Sequence, residues 1–102
     1  MALAELKEKV SPFVGGRFSL ENTKTGYKVE GRIGKIVSSE TDIMVNLSRA
    51  SVTVNGVERD PTKGELEQPI YEDDRPVFRE EAGKVVVSCF NGAIKMQFMK
   101  AS

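Results

Sequence analysis

At 102 residues the chain has the length of one domain, enough to bury roughly 60–70% of the surface its unfolded form exposes. Hydrophobic (39%) and charged (29%) content are ordinary for a globular protein, and 15 basic against 15 acidic side chains leave no net charge. That balance excludes a dominant field toward nucleic acid or membrane while leaving room for a local patch. No stretch approaches the roughly 18 apolar residues of a membrane span, and the lone Cys89 cannot make an internal disulfide. A single-domain cytoplasmic protein with no membrane contact is the expectation.

Residues 1–11 read as a short N-terminal helix. Leu3, Leu6 and Val10 fall on one face at i, i+3 and i+7, Glu5, Lys7, Glu8 and Lys9 fill the rest, and Ser11-Pro12 ends it. So short a helix is marginal alone, and its stripe must dock on the chain's own sheet or on a partner.

Residues 13–59 read as a β-meander. Arg17 to Leu20 alternates polar and apolar, and Glu21 to Gly26 is a turn. Tyr27, Val29 and Ile33 share one parity, which changes at Gly34 so that Ile36 becomes the apolar position; a glycine at a phase change predicts a bulge there. Ile43, Val45 and Leu47 follow after a turn at Ser38 to Thr41. Asn55-Gly56 then predicts a hairpin that places Val54 against Val57 and Val52 against Arg59.

Residues 60–81 read as a long acidic loop containing Pro61, Pro69 and Pro76. Eight acids stand against three bases, so the segment carries −5 and the rest of the chain +5. Connections beyond about 12–15 residues are uncommon in compact domains and tend to be functional. Within this one, Pro69-Ile70-Tyr71 and Pro76-Val77-Phe78 have the makings of short edge pieces.

Residues 84–99 give the strongest local signal, two apolar-rich runs around Asn91-Gly92. A two-residue type I′ turn there sets Cys89 against Ile94, Val87 against Met96 and Val85 against Phe98 on one wholly apolar face. Val86, Phe90 and Met99 fall on the other face, where the helix or a second subunit would cover them. The expected core is Phe18, Leu20, Tyr27, Val29, Ile33, Ile43, Val45, Leu47, Val52, Val54, Val85, Val87, Ile94, Met96 and Phe98. The fold class is therefore all-β: a small antiparallel, partly open barrel or curved meander of six to eight strands with one N-terminal helix.

With no histidine and one cysteine, the chain lacks a His-based triad, an imidazole metal ligand, a Cys–His nucleophile and a structural zinc set. Glu72-Asp73-Asp74 lacks the spacing by which acidic loops converge on a cation and reads as a solvated run. Gly31 to Lys35 has the glycines of a phosphate loop without the helix that should follow. No catalytic residue, metal site or cofactor is assigned.

Val29 to Val37 resembles the glycine-containing strand of small SH3-like barrels, including KOW-type modules of RNA-associated proteins. That resemblance implies a nucleic-acid-binding barrel. Asn46 to Ser51 resembles part of the second signature of PilZ domains. Ser51 stands where that signature ends in glycine, and no RxxxR precedes it, so cyclic-dinucleotide binding is not implied.

The expected function is a non-enzymatic binding or assembly module, a homo-oligomer or a protein-binding domain, using the 60–81 loop for recognition through Tyr71 and Arg75. Val86, Phe90, Met99, Leu3 and Leu6 are the candidate interface residues. The second reading is a nucleic-acid-binding barrel using Arg17, Arg32, Lys35 and Arg49, opposed by zero net charge and few outward aromatics. A third is a small-molecule binder or enzyme at the barrel mouth, with Tyr27, Arg32 and loop carboxylates as its polar groups.

Overall fold

Asn-Gly pairs fold the chain back on itself at two places. In the computed structural model, which describes residues 3–59 and 64–100, Asn55 and Gly56 sit at φ 51° and 83°, and Asn91 and Gly92 at 56° and 90°. Positive φ at both central residues is what a type I′ turn needs. The C-terminal hairpin keeps the expected register throughout: β7 (Lys84–Cys89) pairs with β8 (Ile94–Met99) through Cys89 with Ile94, Val87 with Met96 and Val85 with Phe98.

Six further strands complete one antiparallel sheet: β1 (Arg17–Asn22), β2 (Tyr27–Ser38), β3 (Asp42–Val54), β4 (Val57–Glu58), β5 (Leu66–Tyr71) and β6 (Val77–Glu81). The strand order is β4-β3-β2-β1-β8-β7-β6, and β5 pairs with the first half of β3 on the side that β4 borders further along. The sheet curls without closing into a barrel, which leaves β5 and β6 as edges. α1 (Leu3–Val10) continues into a 3-10 turn at Ser11–Phe13 and packs on β2 and β3. Leu3, Leu6 and Val10 enter the same cluster as Phe18, Leu20, Val29, Ile33, Val85, Val87 and Phe98. The helix therefore covers the sheet's inner face and not the face of Val86. No helix among the described residues is long and apolar enough to cross a membrane.

Three expectations are corrected. First, the acidic segment is not a long loop from 60 to 81. Residues 66–71 and 77–81 are strands, with Ile70 fully buried and Leu66 and Phe78 packed against the core, while residues 60–63 lie outside the described part. Pro69 is tolerated because β5 is an edge strand.

Second, the parity changes twice. Glu30 pairs with Ser51 and Arg32 with Ser48, so Arg49 and Ala50 both face Gly31; one turn later Ile33 pairs with Leu47 and Lys35 with Asn46, leaving Gly34 as the extra residue of β2. The first bulge turns Ala50 into the core, where the plain alternation did not place it, and holds Arg49 at φ 51°. Third, β1 runs on to Asn22, two residues into the expected turn. Its Oδ1 accepts from the backbone N–H of Lys24 at 3.0 Å and Thr25 at 3.3 Å and so closes that turn. Tyr27, Val52 and Ile94 are only partly buried, and Val54 stays outside the cluster.

Cys89 is wholly buried. Burial, with a smaller contribution from the Asp74 carboxylate, pushes its thiol up to about 11 from an ordinary value of 9.0. Native protein at pH 8 should therefore label with a thiol reagent far more slowly than the same protein in denaturant, and equal rates would refute the burial. The folded state keeps the proton where the unfolded chain releases it, so stability is full below pH 9 and declines between about 9 and 11. That decline should be weaker in Cys89→Ala.

Candidate anion-binding cleft

The entry to β1 is stapled to β2 from both sides. Gly15 N–H donates to the Ile33 carbonyl at 2.7 Å, and Ile33 N–H donates to the Gly16 carbonyl at 2.9 Å. That fixes the register, so Arg17 stands directly opposite Arg32. Phe18 and Ile33, their chain neighbours, point into the core, and alternation turns both arginines to the outer face. Arg32 lies opposite Ser48, and the bulge that follows brings Arg49 to the same place.

Arg17, Arg32 and Arg49 line one cleft of about 440 Å³ with Glu30, Gly31 and Ser51. All three are exposed. Among the described residues none of the three lies within ion-pair distance of a carboxylate, and Glu30, the one acid in the cleft, has its Oε1 3.2 Å from Lys28 Nζ. Like charges directly across a strand pair oppose folding. Three guanidiniums from three strands, with no ion-pair partner among the described residues, are thus a local cost that a bound anion would relieve. Guanidinium forks match carboxylate and phosphate oxygens bidentately.

The other candidates sit elsewhere. Lys35 is separated from Arg32 by the Gly34 bulge and opens into a second cleft of about 450 Å³, lined also by Asn46, Glu65 and Glu67. The Asn46 Oδ1 there is buried without a hydrogen-bond partner, and the two glutamates would repel phosphate. Tyr71 (47% exposed) and Arg75 flank the 3-10 turn Glu72–Asp74 that links β5 to β6. Tyr71 N–H donates to Asp74 Oδ2 at 3.2 Å, and Arg75, at φ 53°, closes the turn by donating its N–H to the Glu72 carbonyl at 3.1 Å. Tyr27 packs against the core.

The five candidate interface residues are not brought together. Leu3 and Leu6 are core residues of the inner face. Val86 is 2% exposed on the outer face, between Arg79 and Gln97 on the adjoining strands, with Lys84 Nζ donating to Gln97 Oε1 at 3.2 Å beside it. The chain's own long polar side chains cover it. Phe90 is half exposed at the hairpin tip, and Met99 is partly buried beside Arg17.

Glu30 and Ser51 were missed as cleft residues because the bulge at Gly31 that gathers them carries no mark beyond the glycine. Among the described residues no group of three or more His, Cys, Asp or Glu is placed to hold a metal ion. Fold and cleft together define an open antiparallel β-sheet domain, plugged by a helix on one face and bearing an arginine cleft on the other. No family model, curated protein or solved structure matches the chain.

Proposed function

We propose that this chain is a non-enzymatic binding and assembly module that engages an anionic group of its partner in the Arg17–Arg32–Arg49 cleft. The reading rests on one observation: three guanidiniums from β1, β2 and β3 share a cleft in which the one acid among the described residues is already held by Lys28. It requires no disulfide, which suits a reducing, cytoplasmic setting. Nucleic acid is the weaker reading, because among the described residues no aromatic side chain lines the cleft for bases to stack on.

Titration with polyphosphate and with poly-glutamate at low and high salt tests the site. Binding should weaken as salt rises, and Arg32→Ala/Arg49→Ala should weaken it at least about tenfold, since a hydrogen bond to a charged group contributes about 1.5–3 kcal/mol and tenfold is about 1.4. Unchanged affinity in that variant would sink the proposal. A single-stranded oligonucleotide should bind no more tightly than polyphosphate of equal charge.

A further inference from the structure

We infer that the cleft's partner is the acidic turn Glu72-Asp73-Asp74 of a second copy of this chain. The inference rests on the proposed anion-binding role of the cleft and names what fills it.

The turn carries three consecutive carboxylates where the chain passes from one sheet edge to the other, with Glu72 and Asp73 exposed. None of the three is within ion-pair distance of a lysine or arginine among the described residues. The cleft presents the complementary feature, three guanidiniums with no ion-pair partner among the described residues. The whole chain repeats this division, with −5 on residues 60–81 and +5 on the remainder. A molecule neutral overall yet divided in this way attracts copies of itself at short range without a net field to hold them apart.

The turn cannot serve its own cleft. No residue of the turn lines it. Asp42 pairs with Tyr71 at the edge of the turn, and the path from Asp42 along β3 to Arg49 covers seven residues, about 23 Å at roughly 3.3 Å each. The cleft belongs to the middle strands of the sheet and the turn to its two edges. A neighbouring molecule can meet both, either reciprocally in a closed pair or head to tail. Glu72 and Asp73 supply the exposed carboxylates for guanidinium forks, Asp74 Oδ2 being held by the Tyr71 N–H, and Ser51 adds a hydroxyl donor at the cleft wall.

Charge exchange tests this on the full chain. Light scattering at several hundred micromolar should show self-association at about 25 mM salt that weakens at least about tenfold by about 500 mM, as screening shortens. Arg32→Glu/Arg49→Glu and Glu72→Lys/Asp73→Lys should each remain monomeric. An equimolar mixture of the two should associate again, because each then meets the opposite charge. Circular dichroism of each variant checks that it is folded.

A wild-type monomer at low salt, or reversed variants that still self-associate, would overturn the inference. Polyphosphate binding by Glu72→Gln/Asp73→Asn, whose cleft is intact and which adds no cation, separates the two levels. If it binds while the wild type stays monomeric, the second copy is wrong and the cleft reading stands. If neither binds polyphosphate, the cleft reading falls as well.

Discussion

Phe98→Ala should lower the free energy of unfolding by about 3–5 kcal/mol, the range for removing a fully buried aromatic side chain. Phe98 has no exposure and lies on β8 between β1 and β7, opposite Phe18 on one side and Val85 on the other. Its ring meets that of Phe18 edge to face, with centroids 5.1 Å apart and planes at 73°. Such pairs contribute about 0.5–1.5 kcal/mol beyond the area they bury. The alanine cavity would open at the centre of the curled sheet, where paired strands on both sides limit collapse. Against a total of roughly 5–15 kcal/mol, the loss would leave little reserve at 37 °C. Phe90→Ala is the control: eight residues earlier in the chain and half exposed on the hairpin turn, it should change stability by less than about 0.5 kcal/mol. Urea unfolding of both variants reads the difference directly. A loss below about 1 kcal/mol for Phe98→Ala would mean the inward parity of β8 is wrong.

That parity was legible because it depends on one short signal. Asn91-Gly92 dictates a two-residue loop, and a two-residue loop dictates every pair from Cys89–Ile94 to Lys84–Met99. The helix stripe of Leu3, Leu6 and Val10 was equally local. What escaped was long-range. Of β5 only Pro69-Ile70-Tyr71 was legible, as an edge piece without a partner; the strand forms because Ile70 and Leu66 find β3, far along the chain, and six residues with two prolines nearby and abundant acids do not advertise that pairing. β6 was legible only as the edge piece Pro76-Val77-Phe78, and its full length was hidden for a different reason: its hairpin with β7 turns at Ala82-Gly83, a weaker signal than Asn-Gly, though Gly83 at φ 75° beside the start of an apolar run was there to be read.

The cleft was half legible. Arg17, Arg32 and Arg49 stand out in the sequence as a basic set, but their meeting depends on strand pairing, and nothing in the sequence distinguishes Lys35, three residues after Arg32, from them. The second bulge is what separates it: Gly34 adds a residue to β2 and sends Lys35 toward Asn46, Glu65 and Glu67. Val86 misled for a related reason. A valine on an outer face looks unpartnered in sequence, yet Arg79, Gln97 and Lys84 lie close enough in the sheet to shield it.

Gly15 and Gly16 join the helix to the arginine cleft, and alanine at the two positions should destabilise for different reasons and by different amounts. Gly15 sits at φ 92° with nothing within 4 Å of an added Cβ, so Gly15→Ala should cost only the backbone term of about 1–2 kcal/mol. Gly16 is not at positive φ, but a Cβ there would overlap the Met99 carbonyl oxygen and stand 2.9 Å from that of Phe13. Both obstacles are backbone atoms, one in the last residue of β8 and the other in the 3-10 turn whose carbonyl Gly16 N–H uses at 2.8 Å. Neither can rotate away, so β1 must move outward from β8 or from β2. Gly16→Ala should therefore cost about 3 kcal/mol or more. It should also shift Arg17, the next residue, from its place opposite Arg32, and weaken polyphosphate binding in the fraction that still folds. Gly15→Ala, strained but unobstructed, should bind as the wild type does. Equal stability loss in the two variants would show that backbone strain and not close approach governs this junction, and unaltered binding in folded Gly16→Ala would detach Arg17 from the cleft.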